Sequence, residues 1–229
     1  MDDPALPLAA TARALEDLET VHRWVGNAAL WRLLLPVLAG GPPRQLLLDI
    51  GSGNGVVAAA AVRRAAARGI ELAAIGLDRK LAHLVIGRQE GHRQLRVVGD
   101  AAALPFVDAA VDVACSTLFQ HHFTTAEGGR VLAEMSRVSR RAALVVDLRR
   151  SWLGTVLGRL VIALLGLGPV ARYDGRLSLA QSWSLADVRR AAPATAVRSL
   201  RRRWPFRWAL ELAPAIPAEM EPVAGKRGE

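Results

Sequence analysis

Cysteine is almost absent from this 229-residue sequence, where Cys115 stands alone. An internal disulfide framework and a cysteine-based zinc site are both excluded. Lysine is scarce too, represented only by Lys80 and Lys226, and aromatic residues make up 5%. The strongly apolar run Ser151–Leu167 carries Arg159 inside it and falls short of the roughly 20 apolar residues of a spanning helix. No basic-then-apolar leader opens the chain, so secretion is not expected. What is there is 52% hydrophobic and 22% charged, enough for a real core and too apolar for wholesale disorder. The expectation is a cytoplasmic protein built on one domain with a modest appendage.

The charge is unevenly placed. Thirty Lys+Arg against 21 Asp+Glu give a formal +9, yet residues 1–129 are net −1 and residues 130–229 net +10. Two readings stand side by side: an anionic partner or surface on the C-terminal side, or arginines spread over solvated faces.

Apolar residues recurring at three and four predict a helix over 8–38, ended by Pro36 and Gly40-Gly41-Pro42-Pro43. Gln45–Ile50 is a short apolar run next to glycine and reads as a buried strand. Strand and helix then alternate: helix Val56–Arg68, strand Glu71–Leu77, helix Lys80–Gln89, strand Leu95–Val98, strand Val111–Thr117, helix Ala126–Arg140 and strand Ala142–Asp147. That alternation predicts an α/β protein with a doubly wound parallel sheet. Ser151–Leu167 is expected to form a lid over an apolar pocket or a helix lying in a membrane interface. Ser184 and Asp187 have capping-box spacing. Ala196–Arg203 and Phe206–Leu212 read as two closing strands, followed by a Pro-rich tail.

Chemistry concentrates in Leu46–Gly55, LLLDIGSGNG. Gly51, Gly53 and Gly55 follow a strand and open a helix, so a ligand can approach the backbone closely, facing helix N-terminal N–H groups. A nicotinamide-dinucleotide fingerprint needs its third glycine at position 56, where Val56 stands. Asp49 sets a carboxylate at the strand end, suited to a cation or an ammonium and repellent to a pyrophosphate.

In this stretch the sequence resembles class I S-adenosylmethionine-dependent methyltransferases, whose first motif is acidic-x-Gly-x-Gly-x-Gly. The resemblance extends along residues 45–148, in the manner of methyltransferase type 11 and the ubiquinone and menaquinone biosynthesis enzymes. AAIGLD ends in Asp78, VGDAAALPF contains Asp100, and Asp108–Phe123 and Glu134–Leu148 look like the fourth strand and the helix and fifth strand. The resemblance implies a seven-stranded sheet with its last strand antiparallel, and S-adenosylmethionine as cofactor. It implies that Asp78 takes the ribose hydroxyls, and that Asp100 and the Ala101 backbone meet the adenine. Around them it implies contacts from Asp49, Gly51, Ser52, Gly53, Gly55, Arg79 and Leu118. Residues 1–40 are expected as a helical cap, 41–213 as the cofactor-binding domain with a helical insertion at 151–192, and 214–229 as a flexible tail.

Transfer to a hydroxyl leaves a proton to be removed, and imidazole is suited to that. His121 and His122 lie just past the fourth strand and Asp147 ends the fifth, all on the edge where such sheets bind ligands. Either histidine is a candidate base, with Asp147 to orient it or touch the acceptor; the bland alternative is packing of the two rings beside Phe119 and Phe123. His22, His83 and His92 are expected at the surface, and Cys115 as inert core. Ser116-Thr117-Leu118-Phe119 lacks the Asn/Asp-Pro-Pro-aromatic pattern of nucleobase amino methylation, and Cys115 lacks a preceding proline for cytosine chemistry. Arg201-Arg202-Arg203 with Trp204 and Trp208 is a weak case for nucleic acid. The expected acceptor is therefore a small hydrophobic hydroxylated metabolite lined by Trp24, Trp31, Trp152 and the apolar lid, with no metal. Tyr173 and Asp174 follow the lid, where they either form a turn, the preferred reading, or reach the pocket. Ring-carbon methylation of a quinone, peripheral membrane contact through 149–168, and a non-catalytic cofactor-binding regulator are the alternatives.

Overall fold

The structure is a computed structural model that describes residues 6–25, 28–91 and 94–215, with backbone alone over 21–25. Seven strands form one sheet in the order β3-β2-β1-β4-β5-β7-β6. They are β1 (Arg44–Ile50), β2 (Glu71–Asp78), β3 (Leu95–Val98), β4 (Val111–Thr117), β5 (Ser139–Leu148), β6 (Val197–Arg203) and β7 (Arg207–Leu212). The first five run parallel, and β7 enters antiparallel to both β5 and β6. The order in which strands are added reverses between β1 and β4, so the crevice beyond their C-terminal ends is the place where such sheets bind ligands.

Both sheet faces are covered, which is why the central strands read as unbroken apolar runs. On one face α5 (Thr125–Val138) and α8 (Leu185–Ala191) bury Val131, Leu132, Met135 and Val188 against Leu48, Val145 and Trp208. On the other, α2 (Ala28–Ala39) and α3 (Val56–Ala66) bury Leu30, Leu34 and Ala58 against Leu47, Val113 and Leu144. α5 opens on a Thr124–Glu127 capping box, and α8 on the expected Ser184–Asp187 box.

The predicted helix 8–38 is two helices, α1 (Leu8–Val25) and α2. Pro36 lies inside α2 rather than ending it. Only α1 reaches the glycine turn; α2 belongs to a sheet layer, because its Leu30, Leu34 and Leu38 have strands to bury against. α4 is Leu81–Gln89. The insertion holds α6 (Trp152–Leu164) and α7 (Pro169–Gln181), so Tyr173 and Asp174 are helical and not in a turn. Gly168-Pro169 starts α7, with proline at the first position, where a missing N–H costs nothing. No described helix is long and apolar enough to cross a membrane. The tail beyond residue 215 lies outside the described residues.

Candidate functional site

The turn after β1 brings Asp49, Gly51, Ser52 and Gly53 around a small cavity of about 60 Å³, together with Leu118 and with Leu15, Leu18 and Glu19 of α1. Gly51, Gly53 and Gly55 all have positive φ. At Gly51 (φ 68°) a Cβ would also sit 2.4 Å from the Phe119 ring, so any side chain there collides. Four of the turn's N–H groups are already taken. Gly51 and Ser52 donate to the Leu77 carbonyl at 2.9 and 3.0 Å, Gly55 to the Ser52 carbonyl at 2.8 Å, and Gly53 to Asp78 Oδ2 at 2.9 Å. These four groups are therefore committed within the protein, while the Ala58 N–H in the first turn of α3 reaches Asp49. The turn's open polar atoms are acceptors instead: Asp49 Oδ2 and Ser52 Oγ are buried without a partner. Burial pushes the Asp49 carboxyl up to about 7. Cys115, expected to be inert, donates its thiol to Asp49 Oδ1 at 3.8 Å.

Asp78 ends β2 beside this turn. Burial works against its charge, but His83, the Lys80 N–H and the Gly53 N–H outweigh burial and hold the carboxyl below its ordinary value. His83 is buried on α4, with Nδ1 3.4 Å from Asp78 Oδ2, which corrects its expected surface position. The only signal for it was its place in the first turn after a strand-end acid. Arg79 is exposed and lines neither described cavity. Asp100 is exposed, its Oδ1 accepting from the Ala102 N–H at 2.9 Å, and Ala101 is buried in the core. Both follow β3 on the same sheet edge as Asp78.

A second, larger cavity of about 470 Å³ lies under α6 and α7, and its wall includes His121 and His122. Leu18 and Leu118 border both cavities, so the two adjoin. Leu118 has φ 52°, a conformation that costs a residue with a Cβ about 1 kcal/mol or more and that gathers at functional sites. The structure separates the two histidines. His121, on a 3-10 turn, is 4% exposed and sets Nδ1 2.7 Å from Oδ1 of the wholly buried Asp147, whose Oδ2 accepts the His121 N–H at 3.1 Å. A carboxylate only accepts, so Nδ1 carries a proton, and in the neutral ring Nε2 holds a lone pair. Nε2 is buried with no partner. Burial acts to raise the Asp147 carboxyl, but the charge and hydrogen bonds of His121 and the Leu148 N–H hold it below its ordinary value. His122 is exposed, its ring 4.4 Å from that of His121.

Two of the tryptophans expected around the acceptor lie elsewhere. Trp31 stacks under Arg64 beside the α2–α3 core, and Trp152 is 80% exposed. Trp204, on the β6–β7 hairpin, forms cavity wall in their stead. Trp208 is wholly buried and offers no stacking face beside Arg201–Arg203. The side chains of His22 and Trp24, and all of His92, lie outside the described residues. No metal-binding cluster of acidic, histidine or cysteine side chains occurs among the described residues.

Residues 48–146 match the family described as "Methyltransferase domain". An uncharacterized methyltransferase of Mycobacterium sp. (strain JLS) is 35% identical over 127 residues, covering 56% of this chain and 46% of that protein. The demethylmenaquinone methyltransferase of Renibacterium salmoninarum is 30% identical over 122 residues, 53% of this chain and 48% of that protein. The chain thus spans about half the length of these curated relatives. Magnesium protoporphyrin IX methyltransferase from Synechocystis PCC 6803, with bound SAH, shares the fold at TM-score 0.55 and 17% identity, over 91% of this chain and 88% of that one. The matched span contains the glycine turn, Asp78 and His121, so residues 48–146 are similar to a methyltransferase domain, and the sheet around them has the fold of the Synechocystis enzyme.

Proposed function

We propose that this chain transfers a methyl group from S-adenosylmethionine to a hydroxyl of a small hydrophobic metabolite. The observation that carries this reading is the buried His121–Asp147 pair, with His121 Nε2 unpartnered and His121 in the wall of an apolar cavity adjoining the glycine turn.

S-adenosylmethionine supplies an electrophilic methyl group on a sulfonium. The turn suits it chemically: the bare Asp49 oxygen and Ser52 Oγ accept hydrogen bonds, as an ammonium requires. Asp78 retains acceptor capacity on Oδ1, which among the described residues takes only the Lys80 N–H, and so can receive a sugar hydroxyl. Across Leu118, the larger cavity aligns the acceptor, and alignment at near-attack distance accounts for several kcal/mol of a displacement barrier. His121 Nε2 takes the hydroxyl proton as the oxygen is methylated, and Asp147 stabilises the imidazolium. A base so placed contributes about 10²–10⁴ in rate.

A second reading has its own observation. On α6, Trp152, Val156, Leu160 and Leu164 are 52–80% exposed, and Leu160 and Leu164 also wall the cavity. Exposed Arg150, Arg159 and Arg172 flank them. This surface suits docking on an anionic membrane, from which a lipophilic acceptor enters the cavity. The quinone methyltransferase among the relatives fits such an acceptor, and carbon methylation of a ring needs the same base for a ring proton.

Calorimetry with S-adenosylhomocysteine tests the cofactor. Binding in the micromolar range, lost by at least tenfold in Asp78→Ala, is expected. No heat in the unaltered chain removes the reading.

A further inference from the structure

Arg207 opens β7 opposite Leu148 of β5, next to the Asp147–Trp208 pair. It is 3% exposed, and its Nε and Nη1 are buried without a hydrogen-bond partner among the described residues. Asp147 is near enough to favour the charge, yet forms no ion pair with it and is already engaged by His121. A guanidinium cannot shed its proton at any ordinary pH. Left without a direct partner in a protein interior, it carries a desolvation penalty that an anion in hydrogen-bonding contact would offset.

The place of this cation gives it meaning. Arg207 forms part of the wall of the 470 Å³ cavity, beside Trp204, Pro205 and Phe206 of the hairpin, and does not border the cavity at the glycine turn. Most of the remaining wall is Leu, Val, Ile and Gly. Its other polar side chains are accounted for differently: His121 is held by Asp147, while His122 and Asp174 already have partners of their own. Ser178 is neutral. The cavity therefore combines an apolar body with one buried cation that has no direct partner among the described residues, and the occupant that complements both is an apolar molecule bearing an anion.

We propose that Arg207 is the anion-binding residue of the acceptor cavity, and that the acceptor is an amphiphilic acid whose carboxylate docks on Arg207 while a separate hydroxyl faces His121. This rests on the methyl-transfer reading above. The carboxylate is a handle and not the methylated group, because an ionised carboxylate has no proton for the His121–Asp147 pair to remove. Arginine suits the task, since its planar fork receives both carboxylate oxygens.

The test is displacement of the neutral fluorophore N-phenyl-1-naphthylamine from the full chain at pH 8 by decanoate and by decanol, which share a tail and differ in charge. Decanoate is expected to displace the fluorophore at a concentration at least tenfold below decanol. Arg207→Met should abolish that preference through loss of decanoate affinity, with decanol unchanged or tighter, and Arg207→Lys should retain part of it. Equal displacement by the two in the unaltered chain overturns the proposal without recourse to any variant, and a preference that survives in Arg207→Met overturns it as well. Calorimetry with S-adenosylhomocysteine on the same samples keeps the two ideas apart. Heat without a decanoate preference sinks only the anion site, and a preference without heat sinks only the methyl-transfer reading.

Discussion

Asp49 holds its carboxyl at about 7 in the folded chain against an ordinary 3.8, because burial opposes its charge. Between about pH 4 and 7 the folded state therefore keeps a proton that the unfolded state has lost. Stability from this group falls as pH rises across that window, and the full penalty stands above pH 7. Asp49→Asn should raise the stability of the ligand-free chain by a few kcal/mol at pH 8 and by almost nothing at pH 4, as measured by denaturant melts. The same substitution should weaken S-adenosylhomocysteine at least tenfold, and binding to the unaltered chain should weaken as pH drops below 7. A stabilised variant that still bound the ligand would separate Asp49 from the ammonium. His121 makes a different demand. His121→Ala is expected to slow methylation of phenolic acceptors by 10²–10⁴ at unchanged donor affinity, with Asp147→Asn approaching it and His122→Ala near the unaltered rate. Radiolabelled methyl transfer across a phenol panel measures all three.

Two helices roof the two cavities, and one carboxylate ties them. Asp17 of α1 accepts the Gly168 N–H at 2.8 Å, at the N-terminus of α7, where a negative charge meets the positive end of the helix dipole. Glu19, also on α1, accepts from Asn54 of the glycine turn, which reaches Glu90 as well. The space left under α1 is about 60 Å³, whereas ligand sites run to roughly 300–1,000 Å³. Donor binding is therefore expected to shift α1, and α7 with it through Asp17. Asp17→Asn should cost about 0.5–1 kcal/mol and speed proteolytic cleavage between α6 and α7 in the free chain. It should also reduce the protection of that segment that S-adenosylhomocysteine confers on the unaltered chain. Protection undiminished in the variant would show that the two roofs move independently. Hardly any of this tie was legible beforehand, since Asp17 and Gly168 are 151 residues apart.

At the scale of the whole molecule, the positive excess of residues 130–229 and the exposed apolar side of α6 lie in the same part of the chain. Arginines around an apolar stripe favour anionic interfaces, with roughly 1 kcal/mol per basic residue near such a surface. Flotation should carry the chain with vesicles containing anionic lipid and much less with neutral ones. Replacing Trp152 and Leu164 together by Ser should reduce recovery severalfold while leaving S-adenosylhomocysteine affinity intact. Equal recovery for both proteins, or none at low salt, rules out the membrane as occupant of that face.

The alternation of apolar runs with amphipathic segments, and the glycines and acids at strand ends, are local patterns, and from them the sheet, its ligand edge and the family resemblance could be read. Local pattern also placed Asp49, Asp78, His121 and Asp147 on one edge, because the ends of parallel strands converge there whatever their side chains do. It could not choose between His121 and His122, bury His83 under Asp78, or move Trp204 and Arg207 into the acceptor wall. Those outcomes depend on which way a side chain turns once strands far apart in sequence are paired. Arg207 meets Leu148 only because β7 runs antiparallel beside β5, and that pairing makes a buried cation of an arginine that in sequence looks like any of its neighbours.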